Sequence, residues 1–310
     1  MKKFVALLLV FCFVCMGCAL GEGVRVAALK GPTAMGMVAM MDGSDNREFE
    51  ICAAADEITP KLAKGEIDIA ALPANLAAVL YQRMEGEIEV LAVNTLGVLY
   101  IVTTDESVND IADLKGHTIY SAGKGATPEY ALNYILRANG LEPGTDVTVE
   151  YKAEHSECLS ALLSDECSLA LLPQPFITTA LSKAPEMHVA IDLNAEWDAL
   201  HNGSALITGV VVARRAFIEE NAEIVSAFMD DYAASVEWVN ANTADAAALI
   251  EKFDIVPAAV AEQALPKCNI CFIRGEEMKT KLSGYLAVLY EADPESVGGA
   301  LPDDGFYYAG

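Results

Sequence analysis

The sequence is poor in basic residues, and after residue 20 it has no apolar run long enough to cross a bilayer. Its 20 Lys and Arg residues face 45 Asp and Glu residues, which gives a formal net charge of −25. Nucleic-acid-binding proteins need a basic surface for the phosphates, so this charge balance excludes that class of partner. Hydrophobic residues make up 53% of the 310 positions, which excludes a disordered chain and predicts a large buried core. The length favours two domains.

The motifs of common enzyme and metal sites are absent as well. The chain has no Gly-x-Ser-x-Gly turn, no His-Glu-x-x-His helix and no Gly-x-x-x-x-Gly-Lys-Ser/Thr phosphate loop. Cys268 and Cys271 have the spacing of a zinc or redox pair, but no second pair or His-rich tract completes a site. We therefore expect a protein that is not an enzyme and that holds neither a metal nor a cofactor. Whether Cys268 and Cys271 form a disulfide stays open.

The first eighteen residues have the pattern of an export signal. Two lysines precede an apolar run over residues 4–14, and a stretch of small residues follows. Cys18 comes directly after a glycine and resembles the acceptor cysteine of a bacterial lipoprotein, which becomes the acylated N-terminus and holds the protein at the membrane. Cleavage after Ala19, which would leave no lipid, is the alternative. We expect a signal peptide over residues 1–18, a lipid on Cys18 and a location on the outer face of the cell membrane.

Short β-rich runs alternate with helical patterns along the rest of the chain. The first strand is predicted at residues 24–29, and a Gly-Pro turn leads from it into a helical stretch at residues 34–41. Further strands are predicted at residues 67–72, 88–93, 98–102, 118–121, 147–151, 168–172 and 206–212. Alternation at this spacing indicates parallel-rich sheets that are covered on both faces. The predicted fold class is α/β.

An internal repeat divides the chain into two similar halves. Residues 62–73 align without a gap on residues 162–173, with Leu, Glu, Ala, Leu and Pro identical at matching positions. The Lys-Gly-Pro-Thr sequence at residues 30–33 matches the Lys-Gly-Ala-Thr sequence at residues 124–127. Both of these loops follow a predicted strand and open a predicted helix. The repeat therefore predicts two lobes built from the same strand–loop–helix units.

The repeated loops are the predicted binding site. In open α/β sheets, ligands bind beyond the carboxyl ends of the strands, and a helix N-terminus attracts anionic groups. Thr127 before Pro128 predicts a helix that is capped by the threonine hydroxyl, and Thr33 has a similar setting. A capped turn without a ligand is the alternative for either loop alone, and repetition in both halves favours binding. The candidate ligand-binding residues are Lys30, Gly31, Thr33, Ala34, Met35, Pro73, Asn75, Thr95, Gly123, Lys124, Gly125, Ala126, Thr127, Pro173 and Gln174.

Several of these segments resemble one family. The loop at residues 29–36, the segment at residues 65–73 and its counterpart at residues 171–176 resemble the solute-binding proteins of ABC importers. Runs between residues 217 and 240 and the tail at residues 298–308 are similar to members of the same family. Within the family, the chain most resembles the group that binds nitrate, taurine, aliphatic sulfonates and thiamine-pyrimidine precursors.

The resemblance implies a type II periplasmic-binding-protein fold, in which two α/β lobes are joined by two crossing strands and close on a ligand like a clamshell. The crossings are expected near residues 97–103 and 208–213. Lobe one would then combine residues 19–100 with residues 212–310, and lobe two would hold residues 101–211.

The resemblance also implies the function. We expect the capture of a small polar or anionic organic solute, similar to a sulfonate, taurine or nitrate, and its delivery to an ABC permease with its ATPase. A pyrimidine of the thiamine-precursor type is the alternative ligand, and an exported sensor of the same fold is the alternative role. A flat ring would need aromatic walls, for which the candidates are Tyr81, Tyr100, Tyr130 and Trp197.

Overall fold

The computed structural model describes residues 23–43 and 46–310. The predicted signal peptide at residues 1–18 and the predicted lipidation of Cys18 lie outside the described residues. Among the helices that are described, none combines the length and the apolar composition that a membrane span requires.

Strands and helices alternate through the described part of the chain. The strands are β1 (Val24–Leu29), β2 (Arg47–Cys52), β3 (Ile69–Pro73), β4 (Ile88–Leu96), β5 (Leu99–Thr103), β6 (Thr118–Ser121), β7 (Thr148–Tyr151), β8 (Leu169–Pro173), β9 (His188–Asp192), β10 (Ile207–Arg214) and β11 (Ile270–Ile273). The helices are α1 (Pro32–Met35), α2 (Val38–Asp42), α3 (Ala55–Lys64), α4 (Ala74–Arg83), α5 (Thr127–Ala138), α6 (His155–Leu163), α7 (Phe176–Lys183), α8 (Leu193–Ala199), α9 (Arg215–Glu220), α10 (Ala222–Ala241), α11 (Thr243–Lys252), α12 (Ala258–Ala264) and α13 (Gly275–Ala292).

The strands form two sheets of similar design. The first sheet has the order β11-β4-β10-β3-β1-β2, and the second has the order β7-β6-β8-β5-β9. Each sheet contains three parallel strands, which are β2, β1 and β3 in the first and β7, β6 and β8 in the second. Antiparallel strands β10 and β5 pair with β3 and β8, respectively. The predicted α/β class is confirmed.

The chain passes between the sheets twice. Strand β4 ends in the first sheet at Leu96, and β5 begins in the second sheet at Leu99. The chain returns after β9, and β10 lies in the first sheet from Ile207 onward. The chain changes sheets once between residues 96 and 99 and again between residues 192 and 207. The exact limits of the two lobes stay a prediction.

The first sheet is buried on both faces, as the alternation of strands and helices predicts. Along β1, Ala27 packs into one buried apolar cluster, whereas Val26 and Ala28 pack into another. Successive side chains of a strand point to opposite faces, so the two clusters lie on opposite sides of the sheet. Helix α13 joins the two halves of the protein, because the ring of its Tyr285 lies 5.5 Å from the ring of Trp197 in α8.

One expectation about local structure needs correction, and one open question has an answer. The helical stretch predicted at residues 34–41 is two short helices, α1 and α2, which are separated at Gly36 and Met37. Gly36 is needed there because a Cβ atom would lie 2.9 Å from Ile270 Cγ2. The five cysteines in the described ranges are free thiols, so Cys268 and Cys271 do not form a disulfide in this structure. Burial raises the pKa of both thiols to about 12.

Candidate ligand-binding site

A cavity of about 470 Å³ lies between the two sheets. It is lined by the loops that follow all six parallel strands, three from each sheet. On the first-sheet side, the lining comprises Leu29, Lys30, Gly31, Pro32, Thr33, Ala53, Ala54, Ala55 and Pro73. On the second-sheet side, it comprises Ala122, Gly123, Ala126, Thr127, Pro128, Ala153, Glu154, His155, Ser156, Pro173, Gln174, Pro175 and Phe176. Thr95, Val98, Leu99 and Thr208 complete it where the chain crosses between the sheets.

Six of the described helices begin at the cavity wall, and three of them, α1, α4 and α7, begin after the lining residues Gly31, Pro73 and Pro175. Helix α3 begins after Ala54, α5 after Ala126 and α6 after Glu154, and all three preceding residues line the cavity. The first N–H groups of an α-helix have no acceptor within the helix. They also carry the positive end of the helix dipole, so these wall segments favour hydrogen-bond acceptors and negative charge.

The starts of α3 and α6 are built in the same way. Glu57 Oε1 accepts a hydrogen bond of 3.0 Å from the backbone N–H of Ala54. In the second sheet, Glu157 Oε2 accepts one of 3.0 Å from the backbone N–H of Ala153. A glutamate in the first turn that reaches back to the preceding backbone stabilises a helix start. The two loops are thus held at equivalent places on opposite sides of the cavity.

The predicted threonine caps are wrong. Gly31 and Ala126 hold the N-cap positions of α1 and α5, so each threonine lies inside its helix. Thr33 Oγ1 donates to the carbonyl oxygen of Leu29 at 2.8 Å. The one-turn helix α1 also has too few aligned peptides to supply a useful dipole, and α3 supplies the helix terminus of the first sheet instead.

The hydroxyl of Thr127 joins the two halves of the protein. It donates to Asn75 Oδ1 at 3.4 Å and accepts a hydrogen bond of 3.1 Å from Tyr285. Asn75 Nδ2 in turn lies 3.4 Å from the carbonyl oxygen of Gly125. Asn75 and Tyr285 come from distant parts of the chain. Because the Thr127 hydroxyl bonds to them, it does not cap the helix as the sequence predicted.

Ten of the fifteen candidate residues meet at the cavity: Lys30, Gly31, Thr33, Pro73, Thr95, Gly123, Ala126, Thr127, Pro173 and Gln174. The other five lie outside its lining. Ala34 and Met35 are buried in the core of the first sheet, and Asn75 and Gly125 form the contact described above. Lys124 Nζ lies 5.9 Å from the centre of the Tyr151 ring.

Sequence reasoning missed residues 53–55 and 153–156. The internal repeat contains the signal for them, because its offset of 100 residues extends upstream to these loops. Ala53 matches Ala153 and Glu57 matches Glu157, although the residues between them differ. The aromatic residues that were candidates for a wall do not line the cavity: Phe176 is the only Phe, Tyr or Trp among the lining residues that the structure describes. Tyr81, Tyr100, Tyr130 and Trp197 lie elsewhere.

His155 has the one ring nitrogen in the described cavity wall that is buried without a partner. Its Nδ1 makes no hydrogen bond within the described part of the chain, and its ring centre lies 5.7 Å from that of Phe176. Burial lowers the pKa of His155 from its ordinary value of 6.5 to about 4. The imidazole is therefore neutral at pH 7 and adds a hydrogen-bonding group, not a charge, to the wall.

The cavity wall carries little formal charge. Lys30 is its only Lys or Arg within the described ranges, and Lys30 Nζ lies 3.5 Å from Asp254 Oδ2. Among the lining residues that the structure describes, Glu154 is the only carboxylate. Most of the remaining lining consists of small or apolar residues. Its polar groups are helix N–H groups, the side chains of His155 and Gln174, and the hydroxyls of Thr33, Thr95, Thr127, Ser156 and Thr208.

Comparison with known proteins gives one family and one fold. Residues 41–230 match the family described as ABC transporter, phosphonate, periplasmic substrate-binding protein. No curated protein sequence matches the chain. A crystal structure described as an ABC transporter from Parabacteroides distasonis is 25% identical, with 93% of this chain and 99% of that chain covered and a TM-score of 0.79.

Two further structures share the fold at lower identity. The periplasmic aliphatic sulphonate binding protein SsuA from Escherichia coli is 18% identical over 93% of this chain and 92% of its own, with a TM-score of 0.75. The periplasmic nitrate-binding protein NrtA from Synechocystis is 13% identical over 77% of this chain and 68% of its own, with a TM-score of 0.58.

Proposed function

The chain belongs to the periplasmic substrate-binding proteins of ABC transporters, and on that premise we propose that its cavity captures a small organic solute with an anionic or polar head. The type II periplasmic-binding-protein fold is confirmed by the structural neighbours. Members of the family bind small-molecule solutes and deliver them to a permease, and they are not enzymes. The solute class is our inference, and a sulfonate fits the cavity best.

The convergence of six strand-end loops on one cavity carries the proposal. A solute in this cavity touches loops from both sheets, so it binds the closed form better than an open form. We propose that the two sheets are the cores of the two lobes predicted at residues 19–100 with 212–310 and at residues 101–211. Closure then presents a distinct shape to the permease.

The second-sheet wall fits the head of the solute. Helices α5 and α6 both begin there, and Gln174 and His155 add side-chain groups. Each anionic contact with a helix N-terminus contributes about 0.3–1 kcal/mol, and up to about 2 kcal/mol when it is partly buried. The weakly charged wall favours a head of low charge density, such as a sulfonate, because one lysine offers little compensation for a dianion.

The size and lining of the cavity fit an organic body on that head. Pockets for organic ligands span about 300–1,000 Å³, and this cavity of about 470 Å³ lies within that range. Nitrate alone would leave most of the space to water. A pyrimidine ring is disfavoured, because the lining residues described offer one large aromatic ring, Phe176, beside the smaller ring of His155, and neither Tyr nor Trp.

A thermal-shift screen tests the proposal. The panel contains linear alkanesulfonates from methyl to hexyl, taurine, methylphosphonate, nitrate and an aminopyrimidine. A solute that binds only the folded state at 100 times its dissociation constant adds about 2.7 kcal/mol to the free energy of unfolding. We expect an alkanesulfonate to raise the melting temperature most. A rise with nitrate or with the aminopyrimidine alone would contradict the proposed solute class.

His155→Phe is expected to weaken alkanesulfonate binding about tenfold, since it keeps the ring volume and removes Nδ1. His188→Phe is the matched control, because His188 Nε2 lies 3.3 Å from the carbonyl oxygen of Val108 and outside the cavity lining. Isothermal titration at pH 7 gives both affinities. Equal affinities for the two variants would remove His155 from the proposed site.

We also propose that Cys18 carries a lipid, which rests on the sequence of the export signal. Cys18→Ala is expected to move most of the protein from the membrane fraction to the supernatant, because the acyl chains supply the membrane affinity. Cys52→Ala, a change at a buried thiol, is the control and is expected to leave the distribution unchanged. Immunoblots of the two fractions measure it. Membrane retention of Cys18→Ala would show that another segment anchors the protein.

A further inference from the structure

The side chain of Gln174 is held on one side only. Its residue is 2% exposed, and its backbone N–H donates to the carbonyl oxygen of Val98 at 3.1 Å. Its side-chain Oε1 accepts a hydrogen bond of 2.7 Å from Thr178 Oγ1, one turn further along α7. Thr178 is buried and does not line the cavity, whereas Gln174 does.

This hydrogen bond fixes which end of the amide faces the solute. A carboxamide presents a carbonyl oxygen on one side and an NH₂ group with two donors on the other. The Thr178 hydroxyl holds Oε1 toward α7, so Nε2 points away from that helix. No hydrogen bond in the described part of the chain uses Nε2. Its two N–H groups are therefore left for the cavity.

We propose that Thr178 is a positioning residue that fixes the NH₂ group of Gln174 toward the cavity and thereby selects solutes whose head carries hydrogen-bond acceptors. The inference rests on the proposed function, because it needs the cavity to be the solute site. The beginnings of α5 and α6 add N–H donors to the same wall. A solute head that only donates would offer no acceptor to these N–H groups and would leave them unpaired.

The recognition is asymmetric for this reason. An acceptor-rich sulfonate pairs with the N–H groups of Gln174 and of the helix starts, whereas an ammonium of the same chain length offers these groups no acceptor. Rotation of the Gln174 amide would reverse part of this preference, because Oε1 would then face the cavity. In the rotated amide, the Thr178 hydroxyl would have to accept from Nε2, and its own proton would lose the Oε1 acceptor. The hydroxyl therefore disfavours the rotation, and a methyl group in its place removes that preference without a large change in volume.

The experiment compares hexanesulfonate with hexylammonium by isothermal titration at pH 7. Thr178→Val is expected to lower hexanesulfonate affinity about tenfold and to reduce the preference over hexylammonium by at least that factor. Thr178→Ser keeps the hydroxyl and is expected to stay within about twofold of the wild type. Thr179→Val is the matched control, because the Thr179 hydroxyl donates to the carbonyl oxygen of Pro175.

Gln174→Glu keeps the bond to Thr178 and replaces the NH₂ group by an oxygen. The variant is expected to bind hexanesulfonate more weakly and hexylammonium more tightly than the wild type. This change in selectivity tests the orientation of the amide even if circular dichroism shows that Thr178→Val does not fold. Unchanged selectivity in a folded Thr178→Val protein, or in Gln174→Glu, would overturn the positioning role of Thr178. The proposed function would still hold in that case if the wild type binds hexanesulfonate. A wild type that binds neither probe would overturn both.

Discussion

Gly209→Ala is expected to lower solute affinity about 10–100-fold and to cost about 1–3 kcal/mol of stability. Gly209 lies in β10 next to Thr33 and Thr95, two lining residues that we call the floor of the cavity, and no side chain fits there. A Cβ atom at this position would lie 2.5 Å from Asn94 Oδ1, 2.7 Å from Thr33 Cγ2 and 3.1 Å from Thr95 Oγ1. Thr33 and Thr95 line the cavity, so a shift of either one changes the site directly.

The neighbours of Gly209 cannot move away easily. Asn94 is fully buried, and its Nδ2 lies 3.0 Å from the hydroxyl of Tyr232 and 3.4 Å from the carbonyl oxygen of Thr33. Gly43→Ala is the control, because the nearest heavy atom to a Cβ there is 3.7 Å away. Titration of both variants with the best alkanesulfonate measures the effect. Wild-type affinity in Gly209→Ala would show that the floor of the cavity does not contact the solute.

Asp68→Ala is expected to lower the free energy of unfolding by about 3 kcal/mol, because it breaks a buried ion-pair cluster. Asp68 is 4% exposed and follows the turn between α3 and β3. Its carboxylate accepts hydrogen bonds of 2.9 and 2.7 Å from the Arg25 guanidinium and one of 2.6 Å from Arg214. The cluster holds the start of β1, the start of β3 and the end of β10 together.

The control for Asp68 is an ion pair of equal length on the surface. Asp231 Oδ2 also lies 2.6 Å from an arginine, Arg47, but its side chain is 58% exposed. Exposed pairs contribute about 0–1 kcal/mol, so Asp231→Ala is expected to cost at most that amount. Urea unfolding at pH 7 measures both variants. An equal loss in the free energy of unfolding for the two variants would show that the buried cluster contributes no more than an exposed ion pair.

The same cluster makes stability depend on pH. Burial alone would raise the pKa of Asp68, but hydrogen bonds from Arg25 and Arg214 outweigh it and hold that pKa below its usual value of 3.8. The folded state therefore binds fewer protons than the unfolded state. The contribution is complete above the unfolded pKa and is lost as the pH falls through the folded pKa. In Asp68→Asn, this part of the acid-induced loss of stability is expected to disappear.

Local sequence patterns predicted those parts of the site that depend on repeated backbone geometry. The repeat located the loops after β1, β3, β6 and β8, because proline and glycine at matching positions leave a clear signal. The loops after β2 and β7 were missed because, apart from His155, they contribute backbone N–H groups of a helix start, which residues of any type supply. The match of Ala53 with Ala153 and the helix-start glutamates, Glu57 and Glu157, mark those loops in the sequence.

The threonine caps failed for a different reason. The rule that predicts a helix N-cap considers only neighbouring residues, and Thr127 before Pro128 satisfies that rule. In the structure, its hydroxyl bonds to Asn75 and Tyr285, which are 52 and 158 residues away along the chain. The same limit applies to the orientation of the Gln174 amide. Both depend on packing between distant segments, which a single sequence does not reveal.

Hydrogen exchange with and without the alkanesulfonate that gives the largest thermal shift tests the central claim most directly. A solute held between the sheets is expected to slow amide exchange at the start of α3 in the first half and at the starts of α5 and α6 in the second. These segments are residues 54–56, residues 126, 127 and 129, and residues 154–156, since Pro128 has no amide proton. Slowed exchange on both sides of the cavity is the predicted result. Protection confined to one side, or located elsewhere, would contradict capture between two closing lobes.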